Sequence, residues 1–195
     1  IEWQIKWFKK YGIDEIIICV GHLKELIINY IGSGRRFGVK VGYAVEEKPL
    51  GTGGALKNSE SLLGSSMEKG FFLINGDILT NLDPTRLSNG QSAALALVPL
   101  RSPFGIVELD KNSYVLGFVE KPQIKDRWIN AGVYYFTKDV FKYLPENGNI
   151  EVTALPVMAK ENKLKAVIYE NSFWRSIDSH KDIEEAGKEI QVVDM

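Results

Sequence analysis

The sequence has few of the residues that mark several common classes of protein. Its 195 residues include one cysteine and two histidines, and its formal net charge is -1. One cysteine cannot form an internal disulfide. A net charge near zero argues against a protein whose affinity for a polyanion comes from neutralising many phosphates. We therefore expect no nucleic-acid partner, and a reducing, cytoplasmic location is favoured.

Long hydrophobic runs are also missing. The longest ones, IIICV and FFLI, fall far short of the roughly 20 apolar residues that span a bilayer. No charged segment followed by an apolar stretch is found at the start, so we expect no export signal and no membrane partner. Cys19 lies inside IIICV and is predicted to be a small core residue.

Apolar residues instead follow helical and strand periods in alternation. IEWQIKWFKKYG has a helical period and stops at Gly12, a usual place for a left-handed C-cap, and IIICV then reads as a buried strand. LKELIINYI and VKVGYAV repeat this order, whereas AALALVPL, GIVELD, YVLGFVEKP and NAGVYYFT are closely spaced strands. The pattern predicts a single α/β domain over residues 1–195, with a mixed, mostly parallel sheet.

Three segments directly follow predicted strands, where ligands of such sheets bind. The glycine-rich segment EEKPLGTGG can bring backbone amides close to a phosphate or nucleoside, or it is an ordinary strand-to-helix turn. Asp77, after FFLIN, can ligate Mg²⁺ or cap a helix. Lys121, beside Glu120, can neutralise a phosphate while Glu120 accepts sugar hydroxyls, or the two are a solvated pair.

Five motifs occur together in the order and approximate spacing of one family: PLGTGGA, NGDI, FVEKP, NAGVYYF and FWRSIDSHKDIEEA. The sequence resembles the sugar-1-phosphate nucleotidyltransferases over nearly its whole length. The resemblance implies a Rossmann-like α/β/α fold. It also implies transfer of a nucleotidyl group from a nucleoside triphosphate to a sugar 1-phosphate, with release of pyrophosphate.

The resemblance assigns roles to particular positions. It places a catalytic Mg²⁺ on Asp77 and the sugar phosphate on Lys121. It places the nucleoside along Glu46, Pro49, Leu50, Gly51, Thr52 and Gly76, and the sugar near Gly105, Glu120, Asn130 and Gly132. Under this interpretation a nucleobase and ribose lie against the glycine-rich backbone. His22 and His180 follow no metal-ligand spacing and are expected on the surface.

The last motif departs from the family pattern. Many members have Trp-x-Asp-x-Gly there, with the Asp as second metal ligand, but Ser176 holds that position in this sequence. The segment SIDSHKD resembles the cytidylyltransferase form of the motif, which makes Asp178 the candidate for the second metal ligand and third catalytic residue. The alternative is that Asp178 caps the last helix, a role open equally to Ser179.

A second departure concerns elements that the family has near its start. The Gly-x-Gly-Thr-Arg loop and the Pro-Lys-Pro segment, which bind triphosphate and supply cations, are not in this sequence. Because Ile1 corresponds to the helix after those elements, we expect the first strand and its loop to be either truncated or not visible. A protein that truly began at Ile1 is expected to be inactive, whereas its parent is an enzyme.

The residue type at position 46 bears on which nucleobase the enzyme would bind. A carboxylate accepts hydrogen bonds, and guanine presents two adjacent donors, so a guanylyl group is ranked first although SIDS points toward cytidylyl enzymes. Mannose, glucose or heptose 1-phosphate is the expected acceptor, and a homo-oligomer stays open. Two alternatives remain: a glycosyltransferase, which would usually carry Asp-x-Asp, and a non-catalytic regulatory homologue, which would bind nucleotide sugar without turnover.

Overall fold

The computed structural model describes residues 1–190 and, within them, all side chains other than those of Ser65, Ser66 and Lys125. Helices and strands alternate in the first half, as the sequence predicts. The helices are α1 Glu2–Lys10, α2 Lys24–Ile31, α3 Gly51–Asn58, α4 Glu60–Leu63, α5 Ala154–Lys160 and α6 His180–Ile190. The strands are β1 Glu15–Val20, β2 Lys40–Val45, β3 Phe71–Ile74, β4 Ile78–Thr80, β5 Ala93–Arg101, β6 Ile106–Leu109, β7 Val115–Val119, β8 Gln123–Phe136, β9 Lys165–Ile168 and β10 Trp174–Ser176.

The central sheet is mixed, which confirms the predicted architecture. Its strand order is β3-β8-β5-β9. β8 is antiparallel to both β3 and β5, whereas β9 is parallel to β5. Three of its four strands therefore point the same way, and their carboxyl ends share one edge. β1 and β2 form a separate parallel pair, and β6 and β7 form a hairpin inserted between β5 and β8.

Successive side chains of a strand point to opposite faces of the sheet, so this sheet has an apolar core on each face. Helices cover both of these faces. Ala131, Val133 and Tyr135 of β8 share one core with Trp7 and Phe8 of α1. The intervening β8 residues contribute to a second core with α3 and α5, whose members include Tyr134, Phe136, Leu56, Leu155 and Met158. The resulting arrangement has three layers, α/β/α.

The strands β1 and β3 are less buried than the sequence predicts. Among the described residues, β1 pairs only with β2, and β3 pairs only with β8. Each therefore has one edge without a partner strand in the described part of the chain, and most of their side chains are half-buried. The prediction that Cys19 is a core residue is wrong, because this residue of β1 is exposed.

Several boundaries also differ from those suggested by the sequence. α3 begins at Gly51, so the glycines form its first turn rather than a loop before it. The sequence pattern does not predict the short strands β4 and β10. The segment KDVFKYL, whose pattern predicts a short helix, forms a 3-10 helix over Lys138–Lys142. The segment SHKDIEEAGKEIQVV predicts a last helix over 179–193; α6 covers His180–Ile190 of it, and residues 191–193 lie outside the described part of the chain. In residues 1–190, no helix has the length and apolar character to cross a membrane.

Candidate active site

The segment between β2 and α3 forms a turn closed by its own carboxylate. The backbone N–H of Glu46 donates to the carbonyl of Val20, which ties the segment to the carboxyl end of β1 at 2.8 Å. The N–H of Leu50 then donates to Oε2 of Glu46 at 3.0 Å. Glu46, which is predicted to contact the nucleobase, therefore uses one carboxylate oxygen to stabilise the turn. Gly51 follows with a positive φ of 72°.

A second turn, residues 145–151, packs on the glycines of α3. The carbonyl of Gly148 accepts from the N–H groups of Gly53 and Gly54 at 2.9 and 3.2 Å, and the N–H of Gly148 donates to Leu50 at 2.8 Å. A Cβ on Gly53 would lie 2.9 Å from the carbonyl oxygen of Gly148, and one on Gly54 would lie 2.7 Å from that of Glu146. Glycine is therefore required at positions 53 and 54 because the backbone of the 145–151 turn packs against them. The sequence pattern did not identify this turn as their neighbour.

The side chain of Thr52 holds the 145–151 turn in place through hydrogen bonds. Its hydroxyl donates to the carboxylate of Glu151 at 2.7 Å and accepts from the N–H of Ile150 at 2.9 Å. The backbone N–H of Thr52 faces the side-chain oxygen of Asn149 at 3.3 Å. Pro49 and Thr52 are exposed residues, so the outer side of the loop stays accessible to a ligand.

Asp77 and Asp178 lie at the same end of a short two-stranded ribbon. β4 pairs antiparallel with β10, and Ile78 lies opposite Ser176. One residue further, the N–H of Ile177 donates to the carbonyl of Asp77 at 2.8 Å. Asp77, Gly76 and Asp178 are all exposed. The structure thus places at one ribbon end two aspartates that are about a hundred residues apart in the sequence.

The helix cap expected as the alternative role of Asp178 belongs to other residues. Ser179 and Asp182 exchange hydrogen bonds at the start of α6: the N–H of Ser179 donates to the carboxylate of Asp182 at 2.8 Å, and the N–H of Asp182 donates to the hydroxyl oxygen of Ser179 at 3.4 Å. This is the reciprocal arrangement of a capping box. The carboxylate of Asp178 instead accepts from the hydroxyl of Ser176 at 2.9 Å.

Gln4 holds the Asp77 turn from behind, a role that the sequence analysis missed. Its side chain is buried, and its amide nitrogen donates to the carbonyls of Asn75 and Ile78 at 2.8 and 3.0 Å. These carbonyls flank Gly76 and Asp77. In the sequence, Gln4 is recognisable only as a polar residue on the apolar face of α1. That pattern does not indicate which groups its side chain binds.

Asn130 and Gly132, the predicted sugar residues of β8, lie next to that turn. The N–H of Asn75 donates to the carbonyl of Gly132 at 2.9 Å. Gly132 has a positive φ of 67°, and a Cβ there would lie 3.0 Å from the side-chain nitrogen of Asn75. The side chain of Asn130 is held at both ends, by the N–H of Gly132 at 3.0 Å and by the hydroxyl of Tyr134 at 2.6 Å.

The remaining predicted residues, Gly105, Glu120 and Lys121, gather at the base of the β6–β7 hairpin. A Cβ on Gly105 would lie 2.9 Å from the carboxylate of Glu120. Lys121 is exposed and has a φ of 47°, which is unfavourable for a residue with a side chain. Its charge contributes to lowering the pKa of Glu185 on α6, after the larger effect of the Arg175 hydrogen bond. Within the described side chains, no ion pair or hydrogen bond joins Lys121 to Asp77 or Asp178.

The donor set around Asp77 suits a hard cation rather than a transition metal. Within the described residues, no group of three or more histidine, cysteine, aspartate or glutamate side chains could hold a metal ion by itself. Mg²⁺ usually takes one or two carboxylates and completes its shell with water and substrate phosphates. Two exposed carboxylates at one ribbon end fit that requirement. The predicted positions of the histidines are confirmed, since His22 and His180 are both exposed.

A cavity of about 360 Å³ lies elsewhere, against the amino end of β5, and its lining includes Ser92, Asp139 and Lys163. Asp77 follows the carboxyl end of β3, which points the same way as β5. The cavity and the predicted residues are therefore at opposite edges of the sheet, and α/β sheets bind ligands at the carboxyl edge.

Comparisons with known proteins support the family that the sequence motifs indicate. A family model described as nucleotidyl transferase matches residues 1–192. The chain is 32% identical over 178 residues to the D-glycero-alpha-D-manno-heptose 1-phosphate guanylyltransferase of Campylobacter jejuni, covering 89% of this chain and 78% of the relative. It is 30% identical over 190 residues to the mannose-1-phosphate guanylyltransferase catalytic subunit beta of Dictyostelium discoideum, covering 92% of this chain and 52% of the relative.

A solved structure shares the fold. HddC from Yersinia pseudotuberculosis superposes with a TM-score of 0.72 at 23% identity, over 96% of this chain and 84% of that one. This likeness supports the three-layer architecture. The chain spans about half the length of the Dictyostelium relative and more than three quarters of the Campylobacter one.

Proposed function

The chain belongs to the nucleotidyl transferase family, and we propose that it transfers a guanylyl group from GTP to a sugar 1-phosphate, forming a nucleotide sugar and pyrophosphate. Similarity to guanylyltransferases for heptose and mannose 1-phosphates supports this donor and this class of acceptor. The observation that carries the proposal is the β4–β10 pairing, which places Asp77 and Asp178 at one end of a ribbon beside the carboxyl edge of the sheet. A single nucleotidyltransferase domain is part of the same proposal.

Asp77 and Asp178 are the residues that would hold Mg²⁺. When bound, the ion offsets the negative charge of the phosphates and favours their in-line arrangement. The protein contributes placement: Gln4 fixes the turn that carries Asp77, and the hydroxyl of Ser176 orients the carboxylate of Asp178. In this proposal Ser176 supports a metal ligand instead of supplying one.

The segment from Glu46 to Thr52 would bind the nucleoside. Its backbone is held by the 145–151 turn, so it needs little ordering when the base binds. Glu46 can accept from the guanine N1 and N2 donors with the lone pairs that Leu50 does not use. Gly76, next to Asp77, leaves the backbone open toward the nucleotide phosphates.

Lys121 would bind the phosphate of the acceptor sugar. Two polyanions must meet in this reaction, so a cation on the acceptor side lowers their repulsion and orients the attacking oxygen. Glu120, beside Gly105, would accept sugar hydroxyls, and Asn130 with Gly132 would line the other side of the sugar. No protein nucleophile is needed, because positioning and electrostatics provide most of the catalysis. A cytoplasmic location is proposed from the single cysteine alone.

Pyrophosphate release tests the proposal. The native gene product, with any sequence that precedes Ile1, is incubated with each nucleoside triphosphate and with mannose, heptose or glucose 1-phosphate. We expect release with GTP and with mannose or heptose 1-phosphate. Asp77→Asn should reduce kcat by on the order of a hundredfold or more, whereas Asp14→Asn, a change of another exposed aspartate, should leave kcat unchanged.

Other outcomes separate the alternatives. Binding of nucleotide sugar without turnover by any pair would favour a non-catalytic homologue. Transfer of sugar from a nucleotide sugar would favour a glycosyltransferase. Full activity in Asp77→Asn or in Lys121→Ala would remove that residue from the proposed site.

A further inference from the structure

Tyr134 is a buried tyrosine whose hydroxyl contacts Asn130, one of the proposed sugar residues. The residue is fully buried, and its ring stacks on that of Phe136 with the centroids 5.6 Å apart. Its hydroxyl accepts from Nδ2 of Asn130 at 2.6 Å. A buried tyrosine hydroxyl usually has a hydrogen-bond partner, and this one contacts a residue proposed to line the sugar.

The orientation of the Asn130 amide follows from its neighbours. The N–H of Gly132 lies 3.0 Å from one end of the amide, and a backbone N–H can only donate, so that end is the oxygen. The nitrogen end therefore faces Tyr134. One of its two hydrogens goes to the tyrosine oxygen, which leaves the second one for a ligand.

The proton of the Tyr134 hydroxyl needs an acceptor of its own. Because a lone pair of this oxygen receives the Asn130 hydrogen, the O–H is free to donate to a nearby anion. Glu151 is close enough that its carboxylate, after the larger effect of burial, raises the pKa of Tyr134 to about 12. The hydroxyl thus keeps its proton at neutral pH while its oxygen accepts the hydrogen bond from Asn130.

We propose that Tyr134 is a positioning residue that fixes the Asn130 amide with an N–H group toward the sugar. This inference rests on the proposed function. It adds a specificity rule: the sugar atom opposite Asn130 is a hydrogen-bond acceptor, such as a hydroxyl oxygen. Asn130→Asp, which offers no N–H, should therefore weaken binding of the sugar 1-phosphate.

The kinetic test removes the tyrosine hydroxyl and keeps the ring. In Tyr134→Phe we expect the KM for the sugar 1-phosphate to rise by about fivefold, the size of one lost hydrogen bond, with kcat and the KM for GTP little changed. Tyr135→Phe is the matched control. Tyr135 is also buried on β8, but it faces the other core, and its hydroxyl donates to the carbonyl of Lys69 at 2.7 Å. Equal effects of the two variants on KM would overturn the proposal.

A double-mutant cycle shows whether Tyr134 acts through Asn130. If it does, Tyr134→Phe has no further effect on KM once Asn130 has been changed to Ala. Full additivity would contradict the inference.

Hydrogen exchange of the Asn130 side-chain amide tests the network without turnover. Its NMR signals are identified by their loss in Asn130→Asp, and we expect them to exchange faster in Tyr134→Phe than in Tyr135→Phe. If the wild-type protein releases no pyrophosphate, the proposed function fails, and the exchange measurement still shows whether the network exists. Unchanged exchange in Tyr134→Phe would mean that the network is absent, whatever the activity.

Discussion

The nucleotide loop, residues 46–54, and the β6–β7 hairpin both carry proposed substrate contacts, but their surroundings differ. The loop is closed by Glu46 and covered by the 145–151 turn through hydrogen bonds to Gly53, Gly54 and Thr52. The hairpin is held mainly by its own strand pairing, and Phe104, Leu116 and Phe118 are 75%, 69% and 63% exposed. The proposed nucleotide loop is therefore preorganised by the protein, whereas the hairpin contributes little to folding.

The largest effect on stability is expected where the two turns meet. Gly54 lies inside α3, where alanine is intrinsically better than glycine by about 1 kcal/mol. A Cβ there would nevertheless lie 2.7 Å from the carbonyl oxygen of Glu146. We expect Gly54→Ala to lower the free energy of unfolding by about 2 kcal/mol, as overpacking against backbone does, measured by urea denaturation.

The control for this prediction is Gly76→Ala. A Cβ on Gly76 would have nothing within 4 Å, and its φ is not positive, so the free energy of unfolding should change little. Since helix propensity alone would make Gly54→Ala stabilising, a gain in stability would show that the 145–151 turn does not press on α3.

An intermediate effect is expected on the reactivity of Cys19, which lies beside the nucleotide loop. Although Cys19 as a whole residue is exposed, its sulfur lies 3.5 Å from the carbonyl oxygen of Ala55 and is largely shielded from water. This shielding, followed by the nearby charge of Glu46, raises the pKa of the thiol to about 11. Only about one thiol in a thousand is then ionised at pH 8. The rate of alkylation by iodoacetamide should rise about tenfold per pH unit up to about pH 10.

Removing the charge of Glu46 should speed this reaction. A carboxylate disfavours the neighbouring thiolate, so Glu46→Gln lowers the pKa of Cys19 and increases the ionised fraction at pH 8. We expect a faster alkylation rate in Glu46→Gln and no change in Glu47→Gln, whose exposed carboxylate pairs with Lys24 at 3.1 Å. The same rate in both variants would place Glu46 away from Cys19.

The smallest effect is expected in the hairpin. Phe118 is exposed, so Phe118→Thr should change the free energy of unfolding by less than about 0.5 kcal/mol, as most surface substitutions do. A loss several times larger, measured by the same urea denaturation, would mean that the hairpin is packed against something in solution. The contrast drawn between the two regions would then disappear.

The sequence predicted the elements with strong periodicity and the ends of strands where ligands bind. It did not predict β4 and β10, because three-residue strands are too short to show a period of two. The pairing that brings Asp178 to Asp77 depends on those two strands. The resemblance of the last motif made Asp178 a candidate metal ligand. Only the ribbon showed that Asp178 lies at the same end as Asp77, and only the hydrogen bonds showed that Ser179 and Asp182 form the cap.

The sequence by itself determined the alternating order of helices and strands, the mixed sheet and the family, because local periodicity and short motifs are properties of neighbouring residues. Tertiary structure decided what surrounds each motif. Glycine is required at positions 53 and 54 because a turn almost a hundred residues away in the sequence packs on them. The Asn130 amide has one orientation because Gly132 and Tyr134 form hydrogen bonds with its two ends. Such contacts are set by the folded path of the chain, which brings donors and acceptors together without leaving a pattern in the sequence.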